Sequence, residues 1–259
     1  MLNIVVPMAG RGSRFATAGY RHPKPLIPVG SKPMIEWVIG NIRPTQAHRF
    51  VFICLAEHLQ TFPEISAKLR GLCPGCEIVT VDRVTEGAAC TVLLARRFID
   101  NDNPLMIANA DQFVELNIDI YLAEMDKQTA DGLIMTFWAD DPKWSYCRTR
   151  SDGFVQEVVE KRVVSNKATV GIYNFRRGSD YVNAADLMIS RNFRVNNEFY
   201  VAPVYNIMIE DGRRICVYDL PATASGMHGL GTPDDLIRFK QSDVFNHNVL
   251  SDKCGERPS

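Results

Sequence analysis

Short apolar runs rich in β-branched residues alternate with stretches of helical spacing through the first half of the chain. This alternation is typical of a mainly parallel sheet flanked by helices. The runs that predict strands cover residues 3–8, 50–55, 78–82, 105–109 and 133–138. The stretches that predict helices cover residues 33–41, 56–69, 87–98 and 118–128. The pattern therefore predicts an α/β protein with a Rossmann-like sheet.

From about residue 137 the predicted strands lie closer together. They cover residues 146–150, 154–160 and 167–174, followed by helices at 180–189 and 201–210 and a strand at 214–220. A last helix is expected to begin after Thr232, because Pro233 follows this capping residue at the first helical position. The second half therefore predicts a smaller, β-rich lobe.

The chain shows no internal boundary. No segment rich in glycine, serine or proline separates the two halves, and no period of about 20–50 residues repeats. We predict a single domain over residues 1–250, with a larger lobe at about 1–135 and a smaller lobe at 136–230. The polar residues 251–259 are expected to form a loose tail.

Composition and charge place the chain among globular proteins. Its 259 residues are 46% hydrophobic and 23% charged, with a formal net charge of -1. This balance argues against a basic nucleic-acid binder and an acidic disordered chain, so no nucleic acid polymer is expected as a partner. No apolar run reaches the roughly 18 residues of a membrane span, and the first residues lack the cationic start of a secretory signal. We expect a cytoplasmic protein without a membrane partner. The sequence leaves open whether the chain forms a homo-oligomer.

The seven cysteines also favour a reducing compartment. They are odd in number and several lie in apolar runs, as buried thiols do. The one close pair is Cys73 and Cys76, separated by Pro-Gly. Without a second pair or nearby histidines, this spacing favours a turn over a metal or redox site.

A loop that could hold an anion follows the first predicted strand. It reads Met-Ala-Gly-Arg-Gly-Ser-Arg-Phe over residues 8–15. Small residues let successive backbone N–H groups converge on phosphate oxygens; they are Ala9, Gly10, Gly12 and Ser13. Arg14 adds a positive charge. The third glycine of the dinucleotide fingerprint is replaced by Phe15, so the loop alone also fits a plain turn.

A lysine between two prolines follows within one loop length. Pro23 and Pro25 stiffen the backbone on both sides of Lys24, so its ammonium group can be aimed at a ligand with little loss of entropy. The glycine loop, Arg14 and this Pro-Lys-Pro-Leu segment together resemble the signature of the sugar-1-phosphate nucleotidyltransferase superfamily, the pyrophosphorylases.

The resemblance implies a GT-A-like fold and a reaction. A nucleoside triphosphate (NTP) and a phosphorylated small acceptor, such as a sugar 1-phosphate, would be joined with release of pyrophosphate, as in the synthesis of surface-glycan or capsule precursors. Arg14 and Lys24 would be the catalytic residues, and the loop amides would hold the triphosphate. The larger lobe would bind the nucleotide and the smaller lobe the acceptor. Charge neutralisation dominates such in-line displacements.

The resemblance also implies Mg²⁺ as a cofactor, with Asp111 as its ligand. Asp111 follows an apolar predicted strand, and the carboxyl ends of strands face the ligand crevice in open α/β sheets. A plain strand-end role for this carboxylate is the alternative. The second aspartate that is usual in the family, before a Gly-Thr pair, is replaced here by Gly229. His228 is a candidate substitute.

The base pocket implied by the resemblance lies around residues 82–88. Gly87 and Ala88 would let a flat base approach the backbone, and Asp82 stands where relatives specific for thymine or uracil carry glutamine. A carboxylate only accepts hydrogen bonds, so it favours a base with an exocyclic amino group, and we expect CTP. If Thr85 lines the pocket instead, this inference is lost.

For the acceptor, the resemblance implies a Glu-Lys pair, a later strand and an acidic segment. The residues that match are Ser145, Glu160, Lys161, Thr169, Gly171 and Glu198. Ser145 stands where sugar-specific relatives have glycine, and Trp144 and Tyr146 flank it. This suggests a reshaped pocket and, as an alternative acceptor, an amino alcohol or amino acid amide phosphate, whose cationic group could contact aromatic rings. Two core aromatics at the start of a strand would explain the same residues.

Two other classes compete with this interpretation. A glycosyltransferase of related fold would need an Asp-x-Asp motif, and the sequence has Asn109-Ala110-Asp111 in that place. A non-catalytic, nucleotide-sensing homologue would be expected to have lost Arg14, Lys24 or Asp111. All three are present, whereas the second aspartate is absent.

Overall fold

The computed structural model describes residues 1–221 and 226–254. A sheet of nine strands forms its centre. These strands are β1 (Leu2–Met8), β4 (His48–Leu55), β5 (Glu77–Val81), β6 (Leu105–Ala108), β8 (Gly132–Trp138), β9 (Ser145–Thr149), β10 (Val155–Glu160), β11 (Lys167–Phe175) and β12 (Ile215–Asp219). Two small sheets pair β2 (Pro28–Val29) with β3 (Lys32–Pro33), and β7 (Gln112–Val114) with β13 (Met227–Gly229).

Helices cover the sheet and the ends of its strands. They are α1 (Ser13–Thr17), α2 (Met34–Ile42), α3 (Ala56–Thr61), α4 (Glu64–Leu72), α5 (Ala88–Leu93), α6 (Arg96–Ile99), α7 (Ile118–Lys127), α8 (Gly178–Ser190), α9 (Val204–Glu210), α10 (Pro233–Lys240) and α11 (Asp243–Cys254). A short 3-10 turn spans Lys24–Leu26. None of the helices in the described part of the chain has the length and hydropathy that a membrane crossing requires.

The sheet confirms the predicted Rossmann-like fold class. Strands β5, β4, β1 and β6 lie side by side and run parallel. Next to β6 comes β11, which runs antiparallel to it, and then β8 and β12. The hairpin of β9 and β10 pairs with the beginning of β11. Because β1 and β6 are parallel neighbours, the loops that follow them meet at the same edge of the sheet.

Strand β11 bends in its middle and joins two regions of the sheet. Its pairing with β8 shifts between Thr169 and Tyr173, and Gly171 lies in this interval with φ +96. Ala168 pairs with β9, whereas Ile172 pairs with β6. The first residues of β11 and the hairpin that pairs with them therefore lie beside the carboxyl end of β6.

Apolar clusters fill both faces of the sheet, and a third cluster joins the two ends of the chain. In the third cluster Phe15 and Trp37, near the predicted phosphate loop, share a core with Phe239 of α10. The Trp37 indole meets the Phe239 ring edge-on with centroids 5.5 Å apart. The C-terminal helices thus support the segment that carries Lys24.

Several elements differ from the predictions. The helix expected over 56–69 is divided into α3 and α4 at Phe62–Pro63, since proline has no N–H for the helical ladder. The stretch 87–98 is divided into α5 and α6. The helix expected from residue 201 begins at Val204, directly after Pro203. Strands β2, β3, β7 and β13 are too short to leave a period in the sequence.

The predicted loose tail at residues 251–259 is described by the structure only in part. Helix α11 continues to Cys254, so residues 251–254 extend a helix where a loose tail was expected. The rest of that tail, residues 255–259, lies outside the described residues. The division near residue 135 stays a prediction, and the central sheet continues across it.

Candidate active site

Lys24 and Asp111 form an ion pair at the sheet edge where β1 and β6 end. The Lys24 ammonium contacts the Asp111 carboxylate, and both side chains are about three-quarters buried. Proline on each side fixes the lysine, which opens the 3-10 turn. A cavity of about 290 Å³ lies beside the pair. It is lined by Pro7, Met8, Gly10, Gly12, Lys24, Pro25, Asn109, Ala110 and Asp111.

The predicted phosphate loop lies against this cavity through its glycines. Gly12 has φ +62, and a Cβ there would lie 3.2 Å from the Lys24 Cβ, so a larger residue would crowd the lysine. Gly10 faces open space. Ala9 is buried next to the loop. Ser13 and Arg14, at the start of α1, are exposed and lie outside the cavity wall.

A C-terminal turn closes over Asp111. The Leu230 amide donates to the Asp111 carbonyl oxygen at 2.7 Å. A Cβ at Gly231 would lie 2.8 Å from the Asp111 Oδ2 atom, so only glycine fits here without displacement. A Cβ at Gly229 would lie 3.5 Å from Cγ of Asp235. The position that lacks the expected second aspartate therefore neighbours another carboxylate.

His228 has a different partner from the one the sequence suggested. Its Nε2 atom lies 2.7 Å from Oε1 of Glu115. Because neighbouring residues on a strand point to opposite faces, His228 of β13 points away from the face of Gly229. Among the described residues, no group of three or more side chains with metal-ligating chemistry comes together.

The predicted base loop is held by the segment around Phe199. Phe199 donates to the Glu86 carbonyl oxygen at 2.8 Å and accepts from the Ala89 amide at 3.0 Å. Gly87 has φ +139, and a Cβ there would lie 2.3 Å from the Phe199 carbonyl oxygen. Thr85 uses its hydroxyl inside the loop, donating to the Gly87 carbonyl oxygen at 2.9 Å. This bond leaves the hydroxyl committed to the backbone.

Asp82 and Ala88 lie at opposite ends of that loop. Asp82 is exposed directly after β5 and lies outside the walls of both cavities described here. Ala88 opens α5 and lines a second cavity. Between them, the loop presents Gly87 with its backbone partly exposed.

The second cavity, of about 210 Å³, brings together most of the predicted acceptor residues. It is lined by Ala88, Asn109, Lys143, Trp144, Ser145, Glu160, Lys161, Thr169, Val170, Gly171, Tyr173, Tyr200, Val201 and Ala202. Of the residues predicted for the acceptor, only Glu198 lies outside this wall, and it is exposed. The bend of β11 places Thr169 and Gly171 next to Asn109, at the end of β6.

Glu160 is a buried carboxylate at the base of the second cavity. It is 9% exposed and accepts a hydrogen bond from the Ser145 hydroxyl. Burial raises the pKa of the Glu160 carboxyl, and this effect exceeds the opposing effects of Ser145 and Lys161. The Tyr173 hydroxyl lies 3.1 Å from the Thr169 hydroxyl, and both add to the polar lining formed by Ser145 and Glu160. The cavity therefore offers hydroxyl donors beside an acceptor group.

Lys161 reaches the same cavity because its backbone is left-handed. Its φ of +54 ends the extended strand, so the neighbours Glu160 and Lys161 need not point to opposite faces. The Lys161 Nζ atom lies 4.9 Å from the centre of the Tyr200 ring. A hydrogen bond with the Tyr200 hydroxyl raises the pKa of the Lys161 ammonium group. Glu198 also interacts with Tyr200, so it contacts the cavity indirectly.

The two aromatic residues next to Ser145 have different positions. Trp144 lines the cavity and meets Phe137 edge-on, with ring centroids 5.3 Å apart. Tyr146 is fully buried, and its hydroxyl donates to the Asp141 carbonyl oxygen at 2.8 Å. Only Trp144 can therefore reshape the pocket.

Sequence reasoning missed four residues of the second cavity that carry chemistry: Asn109, Lys143, Tyr173 and Tyr200. Tyr173 lies on β11, two residues beyond Gly171, and a two-residue alternation from Thr169 would have found it. Tyr200 stands next to the predicted acidic segment. Lys143 and Asn109 had no signal beyond their proximity to predicted residues.

Comparison with known proteins identifies the family of the chain. The family model described as nucleotidyl transferase matches residues 4–199. Curated relatives include the bifunctional protein GlmU of Enterococcus faecalis, 23% identical over 96% of this chain and 52% of the relative. They also include the UTP--glucose-1-phosphate uridylyltransferase AglF of Haloferax volcanii, 23% identical over 83% of this chain and 86% of the relative. The chain thus spans about half the length of the GlmU protein that it matches.

Solved structures show the same fold. The nucleoside-diphosphate-sugar pyrophosphorylase from Vibrio cholerae RC9 superposes with a TM-score of 0.80 at 26% identity, covering 92% of this chain and 100% of that one. A UDP-glucose pyrophosphorylase complexed with UDP-glucose superposes with a TM-score of 0.74 at 15% identity, covering 96% of this chain and 99% of that one. With the family model matching more than half of its residues, the chain belongs to the nucleotidyl transferase family.

Proposed function

We propose that the protein transfers a nucleotidyl group from an NTP to a phosphorylated small acceptor and releases pyrophosphate. The observation that carries this proposal is the junction of two cavities. One contains Lys24 and Asp111, the other contains Glu160 and Lys161, and Asn109 lies in the wall of both. The names of the relatives, a uridylyltransferase for glucose 1-phosphate and a sugar pyrophosphorylase, support a sugar 1-phosphate as acceptor. A role in surface-glycan or capsule precursor synthesis would follow.

The reaction assigned to this junction is an in-line displacement. An oxygen of the acceptor phosphate attacks the α-phosphorus, a new P–O bond forms, and the bond to the β-phosphate breaks with release of pyrophosphate. Lys24 stabilises the charge that develops on the α-phosphoryl group. The amides of residues 9–13 hold the β- and γ-phosphates. Arg14 lies just outside the cavity wall, and we assign it to the same phosphates.

The residues present fit Mg²⁺ in the manner usual for phosphate substrates. Mg²⁺ prefers oxygen ligands and is commonly bound by one or two carboxylates together with substrate phosphates and water. Asp111 supplies such a carboxylate at the cavity edge. A bound Mg²⁺ would neutralise negative charge on the triphosphate. Gly229 supplies no carboxylate, so Asp111 would hold the ion together with substrate oxygens and water.

CTP is the NTP that we propose, from the carboxylate at Asp82. It follows β5 next to the base loop, and a carboxylate can accept from the amino group of cytosine but cannot donate to a carbonyl oxygen of uracil or thymine. Replacing Asp82→Gln is expected to relax the preference for CTP. An unchanged nucleotide profile would contradict the proposal, and the exposed Asp102→Asn, remote from the loop, is the control.

A second candidate acceptor is an amino alcohol or amino acid amide phosphate, which would make the protein a cytidylyltransferase acting on a non-sugar phosphate. Glu160 is a buried carboxyl group, which a cationic ligand would stabilise in its ionised form, and the cavity also contains the rings of Trp144, Tyr173 and Tyr200. A carboxylate surrounded by aromatic rings suits an ammonium group. Lys161 would then meet the phosphate at the other end of the acceptor.

Pyrophosphate release tests the function directly. Purified protein is mixed with Mg²⁺, each NTP separately, and a panel of hexose 1-phosphates, amino alcohol phosphates and amino acid amide phosphates. Release with one pair identifies base and acceptor together. No release with any pair, in a protein that still binds an NTP, would favour the non-catalytic, nucleotide-sensing alternative. We propose a cytoplasmic location, where NTPs and reduced thiols coexist.

A further inference from the structure

Asn109 connects the two cavities of the candidate active site. It follows β6 directly and stands two residues before Asp111, in the short bend that connects β6 to β7. It lies in the wall of the cavity that contains Lys24 and also in the wall that contains Glu160. No other described residue belongs to both walls.

The side chain of Asn109 is fixed by the bend of β11. The backbone N–H of Asn109 donates to the Gly171 carbonyl oxygen at 3.0 Å. A Cβ at Gly171 would lie 2.2 Å from the Asn109 Nδ2 atom, so the side-chain amide packs directly on the glycine backbone. The Gln112 side chain donates to the same carbonyl oxygen at 3.1 Å and fills the other side. Because residue 171 is glycine, the Asn109 side-chain amide can occupy the space that a side chain at position 171 would fill.

The Asn109 side-chain amide has hydrogen-bonding capacity to spare. It makes no hydrogen bond with the residues that the structure describes, whereas the neighbouring Gln112 amide is bonded. A half-buried amide with two unused N–H groups is a donor for an anionic ligand. Its position between the cavities selects the ligand, because in an in-line transfer the moving phosphoryl group is shared by both substrates.

We propose that Asn109 is a catalytic residue whose side-chain amide donates a hydrogen bond to a non-bridging oxygen of the α-phosphoryl group during transfer. This inference rests on the proposed nucleotidyltransferase function. The amide adds a neutral donor to the charge of Lys24, and it acts most strongly when the oxygens carry the greatest negative charge. Its effect is therefore expected on turnover more than on the binding of either substrate.

Two substitutions test the proposal in the full chain. Asn109→Leu keeps the branching at Cγ and removes the donor, and is expected to lower kcat by roughly 100-fold with KM for both substrates changed less than about threefold. Asn109→Asp keeps the shape and replaces the donor by a carboxylate, so kcat should fall further. Asn183→Leu, at an exposed asparagine on α8, is the control and should keep the wild-type kcat. Thermal unfolding of each variant checks the fold.

Nucleotides with one α-oxygen replaced by sulfur add a stereochemical readout. In the wild-type enzyme, sulfur at the oxygen that accepts from Asn109 should slow one diastereomer more than the other, and Asn109→Leu should reduce this difference to the part that arises from Lys24 and the metal ion. A kcat within threefold of wild type, or a diastereomer difference that is the same size in Asn109→Leu as in the wild type, would overturn this inference alone. A wild-type protein inactive on every substrate pair would overturn the proposed function and this inference together.

Discussion

The Lys24 ammonium contacts the Asp111 carboxylate although 87 positions separate the two residues. Each group stands at the tip of a segment that is fixed elsewhere: Lys24 between prolines, and Asp111 behind the buried strand β6. The pair keeps a cation and an anion partly buried without an uncompensated charge. Both groups are thus held at the cavity edge before any phosphate arrives.

Replacing Lys24 and replacing Asp111 should change different properties of the reaction. We expect Lys24→Met to lower kcat by about 100-fold to 1000-fold, because the charge on the transferred group loses its main protein partner. Asp111→Asn should instead raise the Mg²⁺ concentration needed for half-maximal rate, because the ligand loses its charge. Pyrophosphate release measured over a Mg²⁺ titration separates the two effects.

The matched control is the pair of Lys68 and Glu36, whose charged atoms lie 3.2 Å apart and whose side chains are 42% and 23% exposed. Lys68→Met removes the same charge from an ion pair that does not line the cavity, so it should leave kcat unchanged. If Lys24→Met changed kcat no more than Lys68→Met, the assignment of Lys24 would be wrong.

Glu160 predicts an unusual dependence of stability on pH. Burial raises the pKa of its carboxyl above the ordinary value of 4.5, so the folded protein favours the protonated form. The stabilising contribution is complete below the ordinary pKa and is lost as pH rises through the folded pKa. Glu160→Gln is neutral throughout and should therefore be more stable than wild type at pH 7, with the difference vanishing near pH 4.

Urea unfolding at pH 4 and pH 7 measures this difference. The control is Glu157→Gln on the same strand, whose carboxylate is more exposed and lies 2.6 Å from Arg148. This variant loses an ion pair and should gain no stability at pH 7. Equal stability of wild type and Glu160→Gln at both pH values would show that the Glu160 carboxylate is not penalised by burial.

The buried cysteines should react slowly with thiol reagents. Burial raises the pKa of Cys54 to about 12 and that of Cys73 to about 11, and it also raises the pKa of Cys76. Because the thiolate is the reactive form, these thiols should be labelled slowly at pH 8 in the folded protein and rapidly after unfolding. Mass spectrometry of labelled peptides gives the rate at each position. Rapid labelling of Cys73 and Cys76, or stoichiometric zinc in the purified protein, would instead support a redox or metal role for this pair.

Local sequence features predicted the frame of the active site. The strands β1 and β6, the glycine loop and the Pro-Lys-Pro segment each have a period or a composition that is visible within a few residues. The parallel pairing of β1 with β6 then places Lys24 and Asp111 at one edge. This part of the site follows from topology once the fold class is known.

The acceptor cavity depends on contacts that no local pattern contains. Lys161 reaches it through a left-handed backbone, and Asn196 and Asn197 adopt two further positive φ values that turn the chain toward Tyr200. Asn109 gains its place from the bend of β11 at Gly171, 62 positions later in the sequence. These features are set by tertiary packing, and a single sequence gives no sign of which residues will meet.

The base loop contacts the segment that borders the acceptor cavity. Gly87 lies so close to Phe199 that Gly87→Ala must move the chain at that residue, and Tyr200, which holds Lys161, comes next. We expect Gly87→Ala to raise KM for the acceptor as well as for the NTP, and to reduce stability by more than the roughly 1–3 kcal/mol of backbone strain at its positive φ.

Gly153→Ala is the control, since Gly153 also has a positive φ but faces open space. This variant should lose stability through strain and keep both KM values. Kinetics with each substrate varied in turn, together with urea unfolding, make the comparison; a Gly87→Ala enzyme with an unchanged acceptor KM would show that the two binding regions are independent.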